Sequence, residues 1–104
     1  MHKSEAEYLV LKKLENNPRL TQRKLSKELG LSLGKTNYVV NALIDRGWLK
    51  LNNFKRSDNK LGYIYLLTPK GATEKTILAQ KFLRRKSEEY NRLKEEIEKL
   101  KKEI

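Results

Sequence analysis

The last third of this chain constrains the fold most, because residues 69–104 read as a single long helix. Thr68 and Pro69 form a helix start, with threonine as the N-cap and proline at the first helical position. A helix from Pro69 to Ile104 would be about 54 Å long at 1.5 Å per residue. The preceding 68 residues cannot cover such a rod, so we divide the chain into a body, 1–68, and a long helix, 69–104.

The apolar residues of this helix alternate spacings of four and three, which is the heptad repeat of a coiled coil. This seam consists of Ala72, Thr76, Ala79, Leu83, Lys86, Tyr90, Leu93, Ile97, Leu100 and Ile104. Ile77, Leu78 and Phe82 add enough apolar surface to dock the first part on the body. We predict that Leu83 and the seam residues from Tyr90 onward form a homodimer, the commonest closed assembly. The alternative is a solvated tail, and we expect Arg84–Glu88 and Arg85–Glu89 ion pairs on its surface.

Three shorter helices are predicted before the hairpin. Ser4 begins the first, with Glu7 completing a capping box, and Asn16-Asn17-Pro18 ends it. Thr21 caps the second, residues 22–29, and Gly30 is its C-cap. Ser32 caps the third, residues 33–46, whose inward stripe is Thr36, Val40, Leu43 and Ile44. Two helices joined by so tight a turn form a helix-turn-helix unit.

Two β-prone segments, 48–51 and 63–67, flank a stretch rich in Asn, Lys and Gly. They predict a two-stranded antiparallel hairpin, or wing, with residues 52–62 as its tip. Trp48, Phe54, Tyr63 and Tyr65 are expected to pack in the core or on the wing. The fold class is therefore mainly α with a small β-wing, followed by a long dimerisation helix.

Composition narrows the function. The chain carries 24 Lys and Arg against 13 Asp and Glu, a formal charge of +11, which attracts polyanions. It has no cysteine, and its one histidine is near the start of the chain, so we expect no metal site, no cofactor and no enzyme activity. No apolar run approaches the ~20 residues of a membrane helix, and we expect a cytoplasmic protein with no membrane partner.

The segment GLSLGKT, residues 30–36, resembles a phosphate-binding loop. That loop needs four residues between the first glycine and Gly-Lys, and it must follow a β-strand. Here three residues intervene, and a polar helical segment precedes them. We therefore interpret the segment as the start of a recognition helix.

With Thr36, Val40 and Leu43 turned inward, the opposite face of the third helix presents residues suited to DNA. Lys reaches phosphate or guanine, Asn pairs with adenine, and Tyr packs on sugar or a thymine methyl group. Residues 19–62 hold ten Lys and Arg and three acids, and the face from Gly34 to Asn41 has no acid. An ordinary solvated helix face is the alternative. The predicted contacts from the two helices are Gln22, Arg23, Ser32, Gly34, Lys35, Asn37, Tyr38 and Asn41.

The wing tip carries Lys55, Arg56, Asn59 and Lys60. A charged tip is often only a solvated turn. Because it follows a helix-turn-helix, we predict that it touches the DNA backbone or the minor groove, with Arg56 as the groove probe.

The order of elements resembles that of winged-helix regulators of the MarR type. The resemblance sharpens for a short branch associated with exopolysaccharide biosynthesis, and rests on LSLGKTNYVVNALIDRGWLKLNNF, YIYLLTPKG and FLRRKSEEYNRLKEEIEKL. It implies a dimeric transcription factor with Lys35, Asn37 and Tyr38 in recognition-helix positions. Larger MarR-type proteins frame a ligand pocket with both terminal helical regions. The arm before the first helix is short here, so we do not expect a small-molecule effector.

The sequence thus predicts a homodimeric regulator that binds double-stranded DNA. It inserts helix 33–46 into the major groove and lays wing 52–62 on backbone or minor groove. Repression and activation stay open. The alternative function is a winged-helix adaptor whose coiled coil pairs with another protein.

Overall fold

The computed structural model describes residues 1–55 and 61–104. Its elements are, in chain order, α1 (Lys3–Asn16), α2 (Gln22–Leu29), α3 (Leu33–Asp45), β1 (Leu49–Lys55), β2 (Leu61–Leu67) and α4 (Pro69–Lys102). The strands form one two-stranded antiparallel sheet. The predicted fold class, mainly α with a small β-wing and a long last helix, is confirmed. Within the described ranges, no helix combines the length and the apolar character that crossing a membrane requires.

The core lies where α1, α2 and α3 meet the base of the hairpin. Its most deeply buried side chains are Val10, Leu11, Leu14, Leu25, Thr36, Val40 and Leu43. The polar Thr36 can be buried there because its hydroxyl donates a hydrogen bond to the carbonyl of Ser32, 2.9 Å away. The predicted inward stripe of α3 is confirmed at Thr36, Val40 and Leu43, while Ile44 is half-buried. Val39, which was not predicted to point inward, is also buried.

Helix caps were predicted correctly at three of four starts. Thr21, Ser32 and Thr68 each accept a hydrogen bond from a first-turn amide of the helix that follows. The capping box at Ser4 and Glu7 is wrong. His2 is the N-cap, and Glu7 is buried against Arg46, with Oε1 and Nη1 3.0 Å apart. A charged hydrogen bond in the interior is stronger than a capping bond in water, which explains where Glu7 goes.

The strands are longer than the sequence predicted. Leu49 pairs with Leu67 at the base and Lys55 with Leu61 at the far end. Asn52 and Asn53, expected in the turn, pair with Ile64 and Tyr63. Asparagine is depleted in strands, but cross-strand partners outweigh that weak preference. The paired strands therefore extend into the predicted tip of 52–62, as far as Lys55 and Leu61, and residues 56–60 lie outside the described residues.

Tight contacts fix the hairpin to the helices. The backbone N–H of Tyr65 donates to the Pro18 carbonyl over 2.9 Å. At the hairpin base the Thr68 hydroxyl donates to the Gly47 carbonyl over 2.6 Å. Tyr65 is buried and Trp48 packs against the core, as predicted, but Tyr63 is more than half exposed. The orientation of the hairpin relative to α3 is thus set by bonds at its base.

The first half of α4 docks on the body through one face. Leu78 is buried, and the ring centroids of Phe82 and Tyr8 lie 5.5 Å apart. Arg85 donates to Glu5 and to Ser4, over 2.8 and 3.1 Å. The predicted Arg85–Glu89 pair is therefore wrong, because Glu89 is bound by Lys86 instead, 3.2 Å away.

The second half of α4 has no intramolecular cover. Every residue from Lys86 to Ile104 is exposed. The molecule extends 65 Å along its longest axis but only 27 and 20 Å along the others. The body is therefore compact, and the second half of α4 projects from it.

Candidate nucleic-acid interface

The turn between α2 and α3 is defined by two residues. Gly30 adopts φ 67°, the left-handed conformation in which glycine meets no steric penalty. Its neighbour Leu31 donates its N–H to the carbonyl of Ser26 over 3.0 Å. Leu25 and Leu29 bury the inner side of α2. The turn thus presents α3 at a fixed angle, with its first turn at the surface.

Ser32 caps α3 by accepting the N–H of Lys35 over 3.0 Å. The first N–H groups of a helix have no acceptor within the helix, and the helix dipole places partial positive charge at this end. Gly34 lies there in open space, since an added methyl group would meet no atom within 4 Å. A helix end with free donors and little bulk suits an anionic oxygen such as a phosphate.

The outward face of α3 carries the side chains that the sequence predicted. Gly34, Lys35, Asn37, Tyr38 and Asn41 are all exposed. The Lys35 ammonium lies 5.9 Å from the centre of the Tyr38 ring, within the range of a cation–π contact. The exposure of these five residues is confirmed. Their contact with DNA stays a prediction.

A chain of amide hydrogen bonds links this face to the hairpin. The Gln22 amide nitrogen donates to the Tyr65 hydroxyl over 3.1 Å. In turn, Asn37 donates its Nδ2 to Gln22 Oε1 over 3.0 Å. Asn41 donates to Asn37 Oδ1 over 3.1 Å. The chain runs from a buried tyrosine to two exposed asparagines and sets which edge of each amide faces outward.

Tyr65 was not predicted to influence the site. Its sequence position indicated only a strand residue facing the core. The hydrogen bond joins β2 to α2, through residues that are 43 positions apart in the chain. No local pattern in the sequence signals it.

The remaining predicted contacts divide into three groups. Arg23 and Ser32 are exposed beside the start of α3, while Gln22 is half-buried beneath Asn37. Lys55 is the last residue of β1. Arg56, Asn59 and Lys60 lie outside the described residues. The structure thus brings Gln22, Asn37 and Asn41 together and leaves the wing contacts untested.

Two cations of the body are paired with acids, Arg46 with Glu7 and Lys13 with Glu28. Arg46 also lies against Trp48, with 5.1 Å between the guanidinium carbon and the ring centre. In the part of the chain that the structure describes, no group of three metal-ligating side chains is arranged to hold an ion. The site offers cations, amides and a helix end to a partner.

Residues 4–50 match the family of winged helix-turn-helix DNA-binding domains. The fold is a winged helix. The match ends at Lys50, at the start of the hairpin, and spans α1, α2 and α3. The winged helix therefore has its helix-turn-helix in α2 and α3 and its wing in β1 and β2. No curated protein sequence matches the chain significantly.

Solved structures of MarR-type regulators share this winged-helix fold. The PcaV transcriptional regulator from Streptomyces coelicolor is 26% identical, with a TM-score of 0.59, over 75% of this chain and 54% of that one. A MarR/EmrR family regulator from Acinetobacter sp. ADP1 is 23% identical, with a TM-score of 0.57, over 80% and 56%. A MarR protein from Peptoclostridium difficile is 19% identical, with a TM-score of 0.64, over 96% and 69%. The aligned part is little more than half the length of the first two regulators.

Proposed function

We propose that this protein is a non-enzymatic transcriptional regulator that binds specific double-stranded DNA as a homodimer. The observation that carries the proposal is the exposed, acid-free face of α3, whose two asparagines are held by hydrogen bonds from the body. The winged-helix fold and its MarR-type structural neighbours support it.

In this proposal α3 enters the major groove with its first turn nearest the backbone. Lys35, Arg23 and the free N–H groups at the start of α3 bind phosphates, which gives affinity without sequence preference. Asn37 and Asn41 face base edges, where a bidentate asparagine distinguishes adenine. Tyr38 packs on sugar or on a thymine methyl group. A restrained amide loses less freedom on binding, so the hydrogen-bond chain favours specific recognition.

In this proposal the wing touches the DNA beside the recognition helix. We assign Lys55, Arg56, Asn59 and Lys60 to the backbone or the minor groove. The support is their charge and the position of Lys55, which pairs with Leu61 at the end of the hairpin opposite its base.

The homodimer is supported by the exposed seam of α4. Leu83, Tyr90, Leu93, Ile97, Leu100 and Ile104 are all large and all exposed in the single chain. Between Tyr90, Leu93, Ile97 and Lys101 lies a groove of about 240 Å³, the kind of hole that receives a knob from a partner helix. Two bodies placed one DNA turn apart, ~34–36 Å, would read a palindrome.

Regulation of exopolysaccharide genes is the finer part of the proposal. Its support is the resemblance of residues 31–54 and of the YLLTPKG stretch to that branch of MarR-type proteins. Repression by occupying a promoter is the simplest mode, since α3 binding there would block other proteins.

Salt-titrated binding to two duplexes tests the function. One duplex has a random sequence, and the other is the region upstream of the protein's own gene. We expect affinity for both to fall with salt, by a slope near −0.9 per phosphate neutralised, and the upstream region to be bound more tightly.

Asn37→Ala should lower the preference for the specific duplex, with an effect of about 1–3 kcal/mol, and leave random binding unchanged. Asn91→Ala is the matched control, because Asn91 is exposed on the free half of α4. Failure to bind either duplex at low salt would refute DNA binding and favour the adaptor function.

A further inference from the structure

The seam of α4 is flanked by charges of opposite sign on its two sides. Leu83, Tyr90, Ile97 and Ile104 occupy the first core position of successive heptads, and Lys86, Leu93 and Leu100 occupy the second. Each first core position from Tyr90 onward is preceded by a glutamate: Glu89, Glu96 and Glu103. Leu93 and Leu100 are each followed by a lysine, Lys94 and Lys101. One edge of the seam is therefore acidic and the other basic.

This arrangement distinguishes the two ways in which a pair of helices can run. In a parallel pair, each edge meets the opposite edge of the partner, displaced by five residues. Glu89 then exchanges its contact with Lys86 for one with Lys94 of the second copy, and Lys101 exchanges its contact with Glu98 for one with Glu96 of the second copy. In an antiparallel pair the acidic edges meet each other and so do the basic edges. Like charges at such short range destabilise the pair, so the flanking residues favour the parallel orientation.

The core residues determine the number of strands. Ile97 and Ile104 put β-branched side chains at the first core position, and Leu93 and Leu100 put leucine at the second. Within a parallel coil this combination favours two strands over three or four. All four side chains are exposed in the single chain.

The complementary charges coincide with the part of α4 that leaves the body. Phe82, which precedes Leu83, occupies the position that carries glutamate in the later heptads. It has no charge and packs against Tyr8 of the body. The acidic edge begins at Glu89, four residues after Arg85 makes its contact with α1. Up to Arg85, residues beside the seam contact the body. From Glu89 onward, the residues beside the seam carry the charges that suit a partner helix.

We infer that residues 86–104 of two copies form a parallel, two-stranded coiled coil whose direction is set by the Glu89–Lys94 and Glu96–Lys101 pairs. The inference rests on the proposed homodimer and specifies its orientation. Because α4 begins at the body, a parallel coil places both bodies at the same end, side by side about the twofold axis. Both α3 helices can then reach one duplex, which an antiparallel coil would hinder by separating the bodies along the rod.

A charge variant tests the direction. Replacing Glu89 and Glu96 by lysine makes both edges basic. In a parallel dimer four attractive contacts become repulsive, and we expect the dimer dissociation constant to rise roughly tenfold to hundredfold in sedimentation. In an antiparallel dimer the already repulsive edges stay repulsive, so the constant should change little.

The matched control is Glu88→Lys with Glu95→Lys, which adds the same charge on the face opposite the seam. The dissociation constants of the two double variants are compared at equal ionic strength. Equal weakening of both would overturn the inference, because it would show a general effect of net charge.

Cysteine cross-linking gives a second, independent readout, since the chain has no cysteine of its own. A parallel coil predicts that Leu100→Cys links to Leu100→Cys and Tyr90→Cys to Tyr90→Cys under mild oxidation. Cross-linking only between the two different variants in a mixture would overturn the inference and leave the homodimer standing. A wild-type chain that stays monomeric at every concentration would refute the homodimer itself, whatever its affinity for DNA.

Discussion

Two neighbouring faces of α4 have different surroundings: one packs against the body and the other is exposed. Leu78 is 5% exposed against the body, whereas Leu83, on the neighbouring face, is 67% exposed. The docked face is Gly71, Leu78, Phe82 and Arg85, and it ends at Arg85, beside Ser4 and Glu5 at the start of α1. The seam runs past that point to Ile104. One helix therefore serves both to complete the core of the body and to present a surface that only another molecule can cover.

The comparison separates folding of the monomer from assembly. The body has a closed core and, among the residues that the structure describes, no buried side-chain polar atom lacks a hydrogen-bond partner. Burial of apolar surface stabilises by about 25 cal/mol per Å², and on the seam this contribution is available only through a partner. Changes to the docked face should therefore alter unfolding, while changes to the seam should alter association.

Removal of the residues after Arg85 should have the largest effect. The shortened chain keeps the contacts of Leu78, Phe82 and Arg85, so we expect it to fold but to sediment as a monomer. Without the linked second body, affinity for a palindromic site should fall by about 10²- to 10⁴-fold. Circular dichroism and sedimentation distinguish these effects from loss of the fold. A dimer that persists after truncation would contradict the assignment of the seam.

Leucine truncation in the two environments makes the same comparison within intact chains. Leu14 is fully buried, and Leu14→Ala should lower the free energy of unfolding by about 2–5 kcal/mol. Leu93→Ala removes the same atoms from an exposed site and should leave the unfolding of the monomer unchanged while weakening the dimer. Urea denaturation at low protein concentration measures the first effect, and sedimentation the second. Similar urea midpoints for both variants would contradict the division.

Two glycines provide a further comparison, between the docked face of α4 and the outward face of α3. A methyl group at Gly71 would overlap the Trp48 carbonyl, so Gly71→Ala should destabilise the body by about 1–3 kcal/mol. Gly34 has open space around it, and Gly34→Ala should stabilise α3 by about 0.5–1 kcal/mol. The same added methyl group should weaken DNA binding if the backbone approaches there. Thermal unfolding and duplex binding of the two variants together check all three expectations.

Local signals predicted most of this fold and less of the site. Thr21, Gly30, Ser32 and Thr68 were identified because capping depends on residues within one turn. His2 and Glu7 were missed because the burial of Glu7 against Arg46 joins residues 39 positions apart. Asn37 and Asn41 were located by helical spacing alone. Their connection to Tyr65 was not predicted, because Gln22 and Tyr65 are 43 positions apart in the chain.

Tyr65→Phe tests that unpredicted connection and has the smallest expected effect. The substitution keeps the buried ring and removes only the hydroxyl that accepts the Gln22 amide. The chain of amides from Gln22 through Asn37 to Asn41 then loses its hydrogen bond to the body. Specific binding should therefore weaken by about 0.5–1.5 kcal/mol, the value of one neutral hydrogen bond. Binding to random duplex and its salt dependence should not change, since no phosphate contact is removed. Tyr63→Phe is the matched control, because Tyr63 lies two residues earlier on β2 with its side chain more than half exposed. If Tyr65→Phe weakened random and specific duplexes equally, its role would be to support the fold and not to orient the asparagines.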